Sequence, residues 1–206
     1  MADRYRTLLF MGLPGTGKST QGRVIGRLPT FVYVDAGEVF RGLDAAAERD
    51  REVLGYLQRG ELVPDELAIS IWIDHLQRLM QEGGFTPGPQ TLIAGGMPRT
   101  LEQARRLADR LDVVRLFMLD CDDEAILVER LRRRADQEGR SDDENEAIVR
   151  ARIDRHRQQL QPVLEHYPAE RIARIDSGGS MVEVLQQIVH DLVTLSRAGE
   201  LGPTPR

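Results

Sequence analysis

The sequence predicts an α/β protein in which a parallel sheet is covered by helices on both faces. Three observations carry that expectation. Short, mostly apolar runs of strand length recur at 6–11, 31–34, 91–94, 113–119 and 171–175, as expected of strands buried between two helical layers. Helical stretches near 19–28, 66–82, 100–111, 123–135, 144–165 and 181–196 separate them, and strands alternating with helices in this way build a parallel sheet. A glycine-rich turn joins the first strand to the first helix. The length, 206 residues, fits one domain of about 150 residues with insertions.

That first turn is the most informative segment. Strand 6–11 is followed by Gly12-Leu13-Pro14-Gly15-Thr16-Gly17-Lys18-Ser19-Thr20, and Gln21 to Leu28 can continue as a helix. The pattern is G-x-x-x-x-G-K-[ST] in its strand–loop–helix context. Glycines let successive N–H groups turn into one concavity, and the helix N-terminus behind them adds partial positive charge, so Gly15, Thr16, Gly17, Lys18, Ser19 and Thr20 form a cradle for a phosphate chain. Lys18 is the only lysine among 28 basic residues. A composition that excludes lysine everywhere else marks this one as irreplaceable, because a compact ammonium fits where a guanidinium is too wide. The Ser19 hydroxyl can face Mg²⁺. The loop binds a nucleoside triphosphate, and the expected architecture is a three-layer P-loop fold with a five-stranded parallel sheet and ligands at the carboxyl ends of the strands.

Two segments read as insertions on the ligand side. One is a small, mostly helical excursion at 35–64; the other, 135–143, is short, polar and glycine-containing, which suits a lid. Residues 197–206 read as a flexible tail.

Composition narrows the class. The chain is 41% apolar and 30% charged, which is globular rather than disordered. No apolar run approaches the ~18 residues of a membrane span, and no signal-type segment follows the N-terminus. A formal net charge of −5 argues against a nucleic-acid surface. One cysteine, Cys121, excludes an internal disulfide framework, and four scattered histidines make no zinc site. The expectation is a soluble, cytoplasmic protein with no nucleic-acid or membrane partner.

Further motifs follow the glycine loop in order: Asp35-Ala36-Gly37-Glu38-Val39-Phe40-Arg41, Gly60-Glu61-Leu62-Val63-Pro64-Asp65-Glu66, Gly96-Met97-Pro98-Arg99-Thr100-Leu101-Glu102-Gln103, Glu129-Arg130-Leu131-Arg132-Arg133-Arg134, Gly139-Arg140-Ser141-Asp142-Asp143 and Arg150-Ala151-Arg152. From about residue 6 to 195 this series resembles the adenylate kinase family of nucleoside monophosphate kinases, in its short-lid form. The resemblance implies Mg²⁺-dependent phosphoryl transfer from ATP to AMP, giving two ADP, by a monomer. Such chemistry consists mostly of positioning and charge neutralisation.

On that resemblance, segment 35–64 is the monophosphate-binding insertion and 135–143 the lid. Arg41 and Arg99 hold the acceptor phosphate. Arg130 and Arg134, four apart on one helix face, reach the triphosphate. Arg140 and Arg152 close over the transferring group, with Arg150 as a substitute for Arg152. The catalytic set is Lys18, Arg99, Arg134, Arg140 and Arg152. Gly96 and Gln103 contact adenine, and Ala36, Glu61, Leu62, Val63, Met97 and Pro98 complete the AMP site. Asp142 and Asp143 pair with lid arginines. Arg132 and Arg133 are expected on a solvated face.

Two departures keep alternatives open. Where the family's adenylate-type threonine stands, this chain has Ala36, which looks more like the UMP/CMP branch and admits a pyrimidine or broad-specificity acceptor. The third strand normally ends Asp-Gly-Phe-Pro-Arg, its aspartate ordering the Mg²⁺ water shell; here Gly95 holds that place. Glu38 matches a second acid near the metal. The consequence is a slower enzyme or a nucleotide-binding protein impaired in catalysis. Of the remaining residues, Cys121 and Trp72 read as packing, His75 as surface, and His156, His166 and His190 as outside any constellation.

Overall fold

A computed structural model describes residues 4–138 and 145–202. Five strands, β1 (Tyr5–Met11), β2 (Phe31–Asp35), β3 (Thr91–Gly95), β4 (Leu111–Asp120) and β5 (Ile172–Asp176), form one sheet in the order β2-β3-β1-β4-β5. Every neighbouring pair is parallel. Eight helices accompany them among the described residues: α1 (Lys18–Ile25), α2 (Ala36–Arg41), α3 (Glu48–Gln58), α4 (Asp65–Gln81), α5 (Leu101–Leu107), α6 (Glu124–Glu138), α7 (Glu146–Leu164) and α8 (Met181–Arg197).

The three layers arise from alternation along the strands. Leu9 and Met11 of β1 point into one core with Trp72 and Leu76 of α4, Leu107 of α5 and Val163 of α7. Leu8 and Phe10 point the other way, onto Ile25 of α1 and Ile188 and Leu192 of α8. A third cluster joins α6 and α7 through Leu127, Leu131, Val149 and Ile153, with Cys121 among them. Central strands buried on both faces have no polar side to show, which is why their sequence is unbroken Leu-Leu-Phe-Met or Leu-Ile-Ala. Among the described residues no helix is long and apolar enough to cross a membrane.

The helix expected over 100–111 ends at Leu107, and β4 begins at Leu111; two further boundaries also differ from the sequence reading. Residues 135–138, expected to open the lid, continue α6, and Ala135 packs in its buried face; the rest of that segment, including Arg140, Asp142 and Asp143, lies outside the described residues. Beyond α8 the expected tail turns back. Leu201 joins the α1–α8 core, and the Gly202 N–H reaches Thr91 Oγ1 at 3.5 Å.

Candidate nucleotide-binding site

All five strands end on the same side, and the site is built from the segments that leave those ends. After β1 comes the glycine loop. Gly12 has φ +139°, and a Cβ there would lie 2.2 Å from the Leu119 carbonyl oxygen, so only glycine lets the loop leave β1 against β4. Gly17, at φ +90°, turns the chain into α1. Thr16 is buried and its hydroxyl donates to the Leu13 carbonyl. The Lys18 ammonium lies folded into the loop, donating to the Gly12 and Leu13 carbonyls, each at 2.8 Å.

A cleft of about 420 Å³ opens over this loop. Lys18, Ser19 and Thr20 line it from α1; Arg41 from α2; Gly96, Pro98 and Arg99 from the turn after β3; Arg130 and Arg134 from α6; and Arg152 from α7. Cations from α1, α2, α6, α7 and the turn after β3 therefore converge on one space, while only two carboxylates, Asp35 and Glu61, line it among the described residues. Enclosure pushes the Lys18 ammonium down to about 7; Asp35 opposes that shift, and Arg99, Arg134 and Arg152 reinforce it. Enclosure and neighbouring cations that disfavour the ammonium's charge are offset by a bound anion, so the site suits a polyanion.

Local bonds fix the guanidinium groups. The Arg99 Nε donates to the Gly96 carbonyl at 2.7 Å. Arg130 donates to the carbonyls of Ser177 and Gly179, at 2.7 and 3.0 Å, tying α6 to the loop after β5. Of Arg150 and Arg152, the second is buried and lines the cleft, whereas Arg150 bonds Glu124 and Glu146 and is not part of the lining.

Several residues expected at the site stand behind its wall. Ala36, Val63 and Met97 are buried and do not line the cleft, nor does Leu62. Gln103 is buried as well: its Oε1 accepts the Arg99 N–H at 2.7 Å and its Nε2 donates to Asp65 at 2.8 Å. Glu61 is paired with Arg59 at 2.8 Å. Glu38, expected near the metal, is instead bound to Arg23 at 2.7 Å and is not part of the lining. Arg133, expected in solvent, lines the rim while pairing with Glu129.

Among the lining residues that escape the sequence reading, two carry titratable groups deep in the site, His156 and Asp35. His156 of α7 faces the cleft beside Arg99, Lys18, Arg152 and Arg155, and enclosure with these cations drives its pKa well below the ordinary value. Asp35 ends β2 with its carboxylate beside Ser19, which donates to Oδ2 at 3.1 Å. A helical register places His156 one turn after Arg152, a signal available in the sequence; Asp35 has none until β2 is paired with β3.

Fold, loop and cationic cleft define a P-loop phosphotransferase. The adenylate kinase family model matches residues 10–172. An adenylate kinase of Leptospira biflexa serovar Patoc is 34% identical over 198 residues, covering 91% of this chain and 100% of that protein. Those of Prochlorococcus marinus (strain MIT 9313) and Thermobifida fusca are 32% and 31% identical, covering 90% and 87% of this chain and 97% and 94% of theirs. The chain belongs to the adenylate kinase family, and its activity is that of a nucleoside monophosphate kinase.

Proposed function

We propose that the enzyme transfers the terminal phosphoryl group of Mg²⁺-bound ATP to AMP, giving two ADP, and that it does so as a monomer. The observation that carries this reading is the division of cations around one cleft. Lys18 with Arg130 and Arg134 lies toward the glycine loop and α6, Arg41 and Arg99 toward the insertion and the turn after β3, and Arg152 joins from α7. Two polyanions brought together need two such clamps, and every member comes from a single chain. The name its relatives carry supports ATP and AMP as the pair.

The donors present suit a hard cation. Ser19 hydroxyl and Asp35 carboxylate offer oxygen only, and among the described residues no group of three His, Cys, Asp or Glu side chains could form an all-protein metal cage. That is the pattern of Mg²⁺ carried largely by phosphate oxygens and water. When bound, the ion would be held beside Ser19 and Asp35 and would neutralise charge on the phosphate chain. The loop N–H groups and Lys18 grip the phosphate chain, Arg134 and Arg152 spread the charge that develops on the transferring group, and Arg41 and Arg99 hold the acceptor phosphate in line. Arg140, which lies outside the described residues, is the remaining member of the proposed catalytic set. Gln103 stiffens Arg99 through its bond to the Arg99 N–H, which supports a role beside the acceptor even from behind the wall.

ADP formation from Mg-ATP with AMP, CMP, UMP, GMP or dTMP offered separately tests the reading. AMP is expected as the preferred acceptor. Preference for a pyrimidine, or binding of ATP without turnover of any acceptor, would overturn it.

A further inference from the structure

The buried carboxylate nearest the glycine loop comes from β2, not from the end of β3. Asp35 Oδ2 accepts from the Ser19 hydroxyl at 3.1 Å and from the Tyr33 hydroxyl at 2.8 Å, while Oδ1 accepts the Glu38 N–H at 3.0 Å. Every one of these neighbours donates. Three donors converging on one carboxyl suit its acceptor-only, ionised form. Ser19 has one proton and gives it to Asp35, which leaves its lone pairs for a cation. Among the described residues the other carboxylate of the cleft lining, Glu61, is paired with Arg59.

Asp35 and Gly95 are register partners across β2 and β3, so their side-chain spaces adjoin. A Cβ at Gly95 would lie 2.6 Å from Tyr33 Oη and 3.0 Å from Asp35 Oδ2. An acid at position 95 therefore cannot coexist with the Tyr33–Asp35 pair as it stands. The tyrosine ring has requirements of its own: a Cβ at Gly22 of α1 would lie 2.2 Å from its Cε2, and one at Gly26 2.6 Å from its Cβ. Glycines at 22, 26 and 95 make room for one tyrosine, and that tyrosine holds one carboxylate against Ser19.

We propose that Asp35, oriented by Tyr33, is the carboxylate that orders the water shell of the nucleotide-bound divalent cation in this chain, replacing an acid at the end of β3. Gly95 is then the mark of a carboxylate moved to the neighbouring strand, not of a disabled site. Tyr33 is a positioning residue. The inference rests on the Mg²⁺–nucleotide reading above.

The test uses the full chain and its Asp35→Asn, Tyr33→Phe and Gly95→Asp variants, with Mn²⁺ and the non-hydrolysable β,γ-imido-ATP as probes. Electron paramagnetic resonance reads Mn²⁺ affinity in the nucleotide complex; calorimetry in EDTA reads metal-free nucleotide affinity. Asparagine keeps the shape and the helix cap and removes the charge. Asp35→Asn is expected to weaken Mn²⁺ binding by about 10–100-fold while metal-free nucleotide binding holds or tightens. A general structural lesion would weaken both. Tyr33→Phe, which keeps the ring on α1, is expected to shift Mn²⁺ affinity in the same direction by less. Gly95→Asp is expected to weaken Mn²⁺ binding despite adding an acid. Parent-like Mn²⁺ affinity in Asp35→Asn, parallel loss of both affinities, or tighter Mn²⁺ binding in Gly95→Asp would overturn the proposal alone. Absence of any Mn²⁺–nucleotide complex with the parent would overturn the kinase reading with it.

Discussion

Arg150 and Arg152 lie two positions apart on α7, about 200° around the helix, and the difference decides their fates. Arg152 faces the cationic cleft, and Arg150 is spent on Glu124 and Glu146. A sequence rich in arginine cannot by itself separate such pairs, because the guanidinium is the same and only the helix phase differs. Arg99 and Arg132 offer the matching experimental contrast. Arg99 lines the cleft with its Nε fixed on Gly96, whereas Arg132 is exposed and bound to Glu129. Arg99→Ala is expected to weaken AMP binding and to lower kcat, together costing about 10–150-fold in kcat/KM, the range for a lost charged hydrogen bond. Arg132→Ala should leave both near the parent values. Steady-state kinetics with AMP varied checks this, and equal effects would remove Arg99 from the clamp. Lys18 and its glycines are legible in the sequence because phosphate recognition fixes both residue type and spacing. Asp35 is not, since its meaning depends on Gly95 of a partner strand far along the chain.

At the scale of elements, α8 shows how a helix outside the cleft still serves it. Ser180 accepts the Glu183 N–H while the Glu183 carboxylate accepts from the Ser180 N–H, a capping box. The cap comes directly after Ser177–Gly179, whose carbonyls receive Arg130. Ser180→Ala is expected to cost about 1 kcal/mol, lowering Tm by roughly 2–4 °C for a chain of this size. Thermal melting followed by circular dichroism reads the shift, and an unchanged Tm would mean the cap adds nothing to global stability. The Ser180 bonds also hold the Glu183 carboxyl below its ordinary value. Its contribution is therefore complete above the unfolded pKa and is lost as acid protonates it. Order and type of the elements are readable from apolar runs and punctuation. Their ends are less so: α6 runs on through 135–138 because Ala135 has a buried place, and polar composition alone gives no sign of it. The chain after α8 reads as a loose tail for the same reason, as Gly202 is held by tertiary contact with Thr91 rather than by any local signal.

For the molecule as a whole, part of the cost of gathering cations falls on a histidine set among them. His156 stands in the cleft between Lys18 of α1, Arg99 of the turn after β3, and Arg152 and Arg155 of its own helix. Desolvation comes first among the causes of its lowered pKa, and these four positive charges come after it. The folded chain thus keeps the imidazole neutral at a pH where the unfolded chain protonates it, starting near 6.5. Below that value the unfolded state binds more protons, so unfolding is favoured as pH falls. The slope from this residue is at most about 1.4 kcal/mol per pH unit, and the part of the ring that meets the open cleft reduces it. Between pH 6.5 and 5.5 the parent is expected to lose up to about 1 kcal/mol that His156→Gln does not lose. Carboxylates titrate alike in both proteins, so the difference between their urea midpoints isolates the histidine. Identical pH dependence would mean the ring is charged in the folded site and paired with something other than this cationic wall. The same difference should shrink when an ATP analogue fills the cleft, because bound phosphates bring negative charge to the ring and favour its protonated form.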